Sequence, residues 1–108
     1  MSSDTFEDLF QVIESRKTAN GDKSYVASLM AKGSQKIQEK ILEEANEVVE
    51  AAGENDKKHL TAEICDLLFH SLVLASHHDI TLQDINNEFN RRSGTSGLTE
   101  KANRQKKS

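Results

Sequence analysis

The spacing of apolar residues along the chain predicts five helices joined by short connections. In each segment the apolar residues recur three or four positions apart, which places them on one face of a helix. No segment alternates apolar and polar residues as a half-buried strand would. Capping and turn-forming residues set the predicted helix bounds at about 4–17, 24–33, 34–53, 56–78 and 81–92. Asp22 or Ser24 is the expected N-cap of the second helix. The pattern is typical of an all-α fold, a four- to five-helix bundle.

The composition supports one small helical domain, which we place at residues 1–92. The chain has 108 residues with no Pro and only five Gly, so helix breakers are rare. A domain of this size has a modest core, and homodimerisation would bury further apolar surface. Residues 93–108 are polar and basic, and we expect them to form a flexible tail.

Charge, hydropathy and cysteine content indicate a cytoplasmic protein. No apolar run reaches the roughly 20 residues that span a bilayer, so no membrane partner is expected. The acidic N-terminus lacks the features of a secretory signal. Eight acidic residues against two lysines between positions 43 and 66 argue against a nucleic-acid partner. The single cysteine, Cys65, lies among apolar residues and is expected to be a core thiol without chemistry.

Two acidic motifs lie on the two long predicted helices. Glu43, Glu44 and Glu47 belong to the first of these helices, and Glu63 and Asp66 belong to the second. Residues three or four positions apart share a helix face, so each motif presents its carboxylates together. At about 100° per residue, Glu44 falls at the edge of the apolar stripe of its helix and should be partly buried.

Carboxylates next to an apolar stripe suggest a metal site. A buried carboxylate has to be paired, protonated or bound to a metal, because its ionised form is costly to desolvate. The short connection between the long helices favours an antiparallel pair. In such a pair four carboxylates can converge, those of Glu44, Glu47, Glu63 and Asp66. An oxygen-rich site of this kind suits Mg²⁺, or alternatively Mn²⁺.

Other interpretations stay open on the pattern alone. The acids could form an exposed helix face, with ion pairs such as Lys36 with Glu39 or Lys40 with Glu44. In the metal interpretation Lys36 and Lys40 instead neutralise substrate phosphates. A di-iron site is disfavoured because no Glu in the chain has a His three residues later. His70, on the face of the second motif, fits either a core histidine or a residue that orients a ligand or contacts substrate.

The spacing of the two motifs resembles that of a known superfamily. Glu43-Glu44-x-x-Glu47, residues 48–62, and then Glu63-x-x-Asp66 resemble the EExxE…ExxD signature of the all-α nucleoside triphosphate pyrophosphatases, the MazG-type superfamily. Further segments resemble its phosphoribosyl-ATP pyrophosphohydrolase branch. These segments are Ser24-Tyr25 with Leu29 ahead of Lys32-Gly33, the runs KIQEKILEEANEVVEAA and AEICDLLFHSLVLA, and residues 82–91. The resemblance covers residues 6–92.

The resemblance implies a homodimeric helical bundle with Mg²⁺-dependent activity. Its expected reaction is hydrolysis of phosphoribosyl-ATP to phosphoribosyl-AMP and pyrophosphate, a step of histidine biosynthesis. Glu44, Glu47, Glu63 and Asp66 become the metal ligands, and Glu43 becomes a ligand or the group that orients the attacking water. These five residues are the catalytic candidates.

The resemblance also implies substrate contacts. The candidate phosphate contacts are Lys32, Lys36 and Lys40, and the candidate contacts near the substrate entrance are Ser24 and Tyr25, with His70 as a further substrate contact. Two other functions compete with this one. A house-cleaning nucleoside triphosphate pyrophosphatase of the same superfamily would share the metal motifs. A non-catalytic helical dimerisation module would need none of the acidic side chains.

Overall fold

The computed structural model describes residues 5–17 and 24–93. Within these residues it contains five helices and no strand, which confirms the all-α prediction. The helices are α1 (Thr5–Arg16), α2 (Tyr25–Lys32), α3 (Ser34–Ala52), α4 (Lys57–His77) and α5 (Leu82–Arg92). None of the described helices combines the length and the hydropathy that a membrane-spanning helix requires. The predicted flexible tail lies outside the described residues apart from Ser93, so it stays a prediction.

Local side-chain caps explain where the helices begin. The Ser24 hydroxyl accepts a hydrogen bond from the Ala27 amide at 3.2 Å, so Ser24 is the N-cap of α2. Thr81 and Asp84 form the predicted capping box at the start of α5. Gly33 separates α2 from α3 with a φ of +95°, a backbone conformation that side chains disfavour.

The core lies where α1 and α2 pack against the helical hairpin formed by α3 and α4. One fully buried apolar side chain comes from each of α1, α3 and α4, namely Ile13, Ile37 and Val73, and α2 adds the buried Leu29. The fully buried Ser76 hydroxyl donates to the Glu14 carboxylate at 2.6 Å, which ties α4 to α1. This packing includes α3 and α4, the two helices that carry the acidic motifs.

One expectation for α4 is wrong, because its apolar residues occupy more than one side. The spacing predicts that the apolar residues of this helix, among them Ile64 and Leu68, share one face, yet both are exposed, and the buried side runs through His70 and Val73. Cys65 is exposed, so the prediction of a core thiol is wrong as well. Periodicity alone could not decide which of the two apolar sides of α4 faces α1 and α2.

The outer apolar side of α4 contributes to a groove shared with α1 and α5. This groove has a volume of about 510 Å³ and is lined by Phe6, Leu68, Ser71, Leu72, Leu82, Ile85, Asn86 and Phe89. Phe89 is 65% exposed and Phe6 is 53% exposed, although both are large apolar residues. We call this surface the apolar groove.

Candidate active site

Three carboxylates from α3 and α4 come together at the helix interface. One oxygen from each of Glu44, Glu63 and Asp66 lies within 4.8 Å of the other two. Glu63 and Asp66 share a face of α4 because they are three residues apart, and the hairpin places Glu44 of α3 opposite them. The side chains of both acidic motifs therefore meet, and we call these three residues the acidic cluster.

Glu44 is the most buried member of the acidic cluster. It is 7% exposed, and its Oε2 atom is buried without a hydrogen-bond partner. Burial, a hydrogen-bonding contact with Glu47 and the nearby charges of Glu47, Asp66 and Glu63 raise the pKa of Glu44 to about 7. A buried, unpartnered carboxylate oxygen that faces other acids is costly unless a cation balances it.

Glu47 lies beside the acidic cluster. Burial, the charge of Glu47 and the contact with Asp66 raise the pKa of Glu63. Glu47 therefore acts electrostatically on both Glu44 and Glu63, although it is not one of the three residues whose oxygens lie closest together. Glu43 lies outside the acidic cluster, since its carboxylate is exposed and accepts a hydrogen bond from Lys40 at 3.1 Å.

The donor set fits a hard divalent cation. The three close ligand atoms are all carboxylate oxygens, the donors that Mg²⁺ and Mn²⁺ prefer. The unpartnered Glu44 oxygen supplies an independent reason for a cation, because no polar group of the described residues satisfies it. Three protein carboxylates leave room for substrate oxygens or water around Mg²⁺, which seldom takes a full protein cage.

A hydrogen-bonded pair links α2 to the acidic cluster. The Tyr25 hydroxyl lies 2.7 Å from Nε2 of His70. The other ring nitrogen of His70, Nδ1, lies 2.8 Å from the backbone carbonyl oxygen of Asp66. Both nitrogens of this buried imidazole therefore have partners, and one partner belongs to a residue of the acidic cluster.

Comparison with known proteins assigns the chain to a family. Residues 6–93 match the phosphoribosyl-ATP pyrophosphohydrolase family. The chain belongs to this family. A phosphoribosyl-ATP pyrophosphatase of Neisseria gonorrhoeae (strain ATCC 700825 / FA 1090) is 48% identical over 94 residues, which cover 87% of this chain and 88% of the relative. A protein of the same name from Janthinobacterium sp. (strain Marseille) is 51% identical over 109 residues, 94% of this chain and 96% of the relative. Membership of this hydrolase family confirms the resemblance and the prediction of an enzyme.

The three lysines that the family resemblance predicts as phosphate contacts have different surroundings in the structure. Lys40 is close enough to Tyr25 for its charge to lower the pKa of that phenol, whose net pKa is raised by burial. Lys36 forms the expected ion pair with Glu39 at 3.5 Å, so the helix-face interpretation holds for that pair. Lys32 is exposed in the last turn of α2. The pair predicted between Lys40 and Glu44 is replaced by the pair of Lys40 with Glu43.

Sequence reasoning missed one residue near the site, His59. Its Nε2 atom lies 3.9 Å from the Glu63 carboxylate, and its Nδ1 atom lies 2.7 Å from the Glu54 carboxylate. The hydrogen bond with Glu54 and the charges of Glu54 and Glu63 raise the pKa of His59. The spacing of four residues between His59 and Glu63 is the sequence signal that could have identified it.

Proposed function

We propose that the protein hydrolyses phosphoribosyl-ATP to phosphoribosyl-AMP and pyrophosphate, using Mg²⁺ held by Glu44, Glu47, Glu63 and Asp66. The observation that carries the proposal is the buried, unpartnered oxygen of Glu44 within the acidic cluster. Relatives that are 48–51% identical and are named phosphoribosyl-ATP pyrophosphatase support the choice of substrate. The proposal places the reaction in the cytoplasm, within histidine biosynthesis.

Electrostatics explain why the site needs a cation. Four carboxylates at one helix interface would repel the phosphates of a nucleotide, so the site cannot hold its substrate on its own. A bound divalent cation neutralises that repulsion, polarises the phosphoanhydride and makes a bound water more acidic. Mn²⁺ has the same preference for oxygen and can replace Mg²⁺ in this proposal.

The remaining predicted residues then divide by what they can contribute. Glu43 is exposed and bonded only to Lys40 among the described contacts, so it can accept a proton from the attacking water or orient that water. Lys32, Lys36 and Lys40 supply positive charge for the phosphates. Ser24 caps α2 through its oxygen and keeps its hydroxyl hydrogen available for a substrate acceptor.

The proposal is tested by pyrophosphate release from phosphoribosyl-ATP, with ATP and dUTP as parallel substrates, each with Mg²⁺ and with excess chelator. We expect release from phosphoribosyl-ATP only, abolished by chelator. Asp66→Asn should lower turnover by at least roughly 100-fold. Glu50→Gln, an exposed change on α3, is the matched control and should leave turnover intact. Preference for ATP or dUTP would instead indicate a house-cleaning pyrophosphatase, and no release at all would leave a structural module.

We also propose that the protein is a homodimer formed through the apolar groove. The groove exposes large apolar residues of α1, α4 and α5 on one surface, and a second copy would cover them. Phe89→Glu introduces a negative charge that is costly to bury at an interface without a countercharge, so the variant should be a monomer in analytical ultracentrifugation. Asn90→Glu, next to it in sequence and also exposed, is the matched control. A wild-type protein that sediments as a monomer would contradict this proposal.

A further inference from the structure

The hydrogen bonds of His70 determine which of its nitrogens carries the proton. A backbone carbonyl oxygen can only accept a hydrogen bond, so Nδ1 of His70 donates to the Asp66 carbonyl oxygen. A neutral imidazole then has a lone pair on Nε2. In that neutral form the Tyr25 hydroxyl, 2.7 Å away, donates its hydrogen to Nε2. His70 is 6% exposed, so water does not compete for these bonds.

This arrangement determines whether the Tyr25 hydroxyl can donate or accept a hydrogen bond at the site. The single hydroxyl hydrogen is bonded to His70, so toward the site the oxygen offers only lone pairs. The ring is held by a near-parallel contact with Phe69, with 6.3 Å between centroids and 20° between planes. Tyr25 is 51% exposed, so its outer side can be reached by a bound molecule. A tyrosine in this state can accept a hydrogen bond but cannot donate one to a phosphate.

The position of Tyr25 limits what can donate to it. The Tyr25 hydroxyl is connected to the acidic cluster through His70, whose other ring nitrogen contacts the backbone carbonyl oxygen of Asp66. Lys40 donates to Glu43 and makes no hydrogen bond to Tyr25 among the described residues. The phosphates of a nucleotide bound at the cluster carry no donors at neutral pH beyond a single proton. Moving along the nucleotide away from the phosphates, the first hydrogen-bond donors are the hydroxyls of the attached ribose.

We propose that Tyr25 is a specificity-determining residue that accepts a hydrogen bond from a ribose hydroxyl of the nucleotide, and that His70 is the positioning residue that orients it. The inference rests on the proposed function, because the nucleotide must bind with its phosphates at the acidic cluster. It assigns no direct substrate contact to His70, since both ring nitrogens have protein partners.

The first test compares wild type and Tyr25→Phe on phosphoribosyl-ATP and on analogues whose ATP-derived ribose lacks the 2′- or the 3′-hydroxyl. Tyr25→Phe removes only the hydroxyl of a half-exposed residue and keeps the ring, so the fold should be retained. We expect kcat/KM on the full substrate to fall roughly 3- to 10-fold, the value of one neutral hydrogen bond. The analogue that lacks the hydroxyl bonded to Tyr25 should be hydrolysed equally well by wild type and by Tyr25→Phe. An equal loss on all three substrates, or no loss on any, would overturn the proposal.

The second test uses His70 variants that keep one ring contact each. A Gln carbonyl oxygen can take the place of Nε2 and accept from Tyr25, whereas the shorter Asn can only replace Nδ1. His70→Gln should therefore preserve discrimination between the full substrate and the deoxy analogue, and His70→Asn should lose it. The double variant with Tyr25→Phe and His70→Asn should discriminate between the full substrate and the deoxy analogue no less than either single variant does, because both substitutions act through the Tyr25 hydroxyl. Additive losses would show that His70 does not act through Tyr25.

The two proposals fail in different ways. If wild type releases no pyrophosphate from phosphoribosyl-ATP, the proposed function is wrong and the comparison of analogues does not arise. If wild type is active and Tyr25→Phe leaves the ratio of kcat/KM between full and deoxy substrates unchanged, only the role of Tyr25 is refuted. Circular dichroism of each variant confirms that its helices are intact.

Discussion

Replacing Glu44 by Gln should stabilise the metal-free protein while abolishing its activity. Gln has nearly the same shape as Glu and stays neutral, so it imitates the protonated acid at every pH. In the native protein the carboxyl of Glu44 is buried, its Oε2 atom has no partner, and Glu47, Glu63 and Asp66 surround it. Ionisation of Glu44 in the folded state is therefore unfavourable unless a cation is bound.

The size of the effect follows from the pKa of Glu44. Its pKa is raised from 4.5 to about 7 in the folded protein, and each unit corresponds to about 1.4 kcal/mol. The folded state binds the proton more tightly than the unfolded chain, so stability is lost as the pH rises between 4.5 and 7. At pH 8.5 the loss is at most about 3 kcal/mol, and near pH 5 it falls below about 1 kcal/mol.

The assay is urea and thermal denaturation of wild type and Glu44→Gln in chelator, at pH 5 and pH 8.5. We expect Glu44→Gln to unfold at a higher temperature at pH 8.5, by roughly 10 to 20 °C, with a much smaller difference at pH 5. Glu43→Gln is the matched control, because Glu43 is the adjacent residue in sequence and its carboxylate is exposed and paired with Lys40. Equal stability of wild type and Glu44→Gln at pH 8.5 in chelator would refute the claim that an ionised Glu44 destabilises the metal-free fold.

Three further predictions test the fold and the metal dependence. Gly33→Ala should cost about 1 kcal/mol of stability because φ is +95°, whereas Gly53→Ala, whose φ is −82°, should not destabilise the protein by urea denaturation. Ser76→Ala should cost about 1 to 2 kcal/mol, since it removes a buried hydrogen bond to Glu14, whereas Ser15→Ala on the exposed side of α1 should be nearly neutral. Mg²⁺ should raise the melting temperature more at pH 8.5 than at pH 5, because protons compete with the cation for the acidic cluster.

The helix bounds could be predicted from sequence because local groups determine them. Ser24 and Asp56 accept hydrogen bonds from the first turns of their helices, and Thr81 closes a capping box, so each start is encoded within four residues. The orientation of α4 could not be predicted in this way. Both of its long sides carry apolar residues, and contact with α1 and α2 selects the side that contains Val73.

The acidic cluster was partly predictable for the same geometric reason. Glu44 lies at the edge of the stripe through Ile37, so its burial follows from a single helix, and the exposure of Glu43 follows from the 100° between neighbours. The contact between Tyr25 and His70 joins residues 45 positions apart. It depends on how α2 crosses α4, which no pattern within either helix specifies.

Stability and metal affinity are opposed at the interface of α3 and α4. The burial that makes Glu44 costly to ionise also removes water from its oxygens, so a cation that binds there displaces little solvent and meets a fixed ligand. Because the cation binds the folded state and not the unfolded chain, its binding free energy adds to folding stability. The acidic cluster should therefore weaken the metal-free helix pair and strengthen the metal-bound one, and Glu44 is the residue at which the two effects are largest.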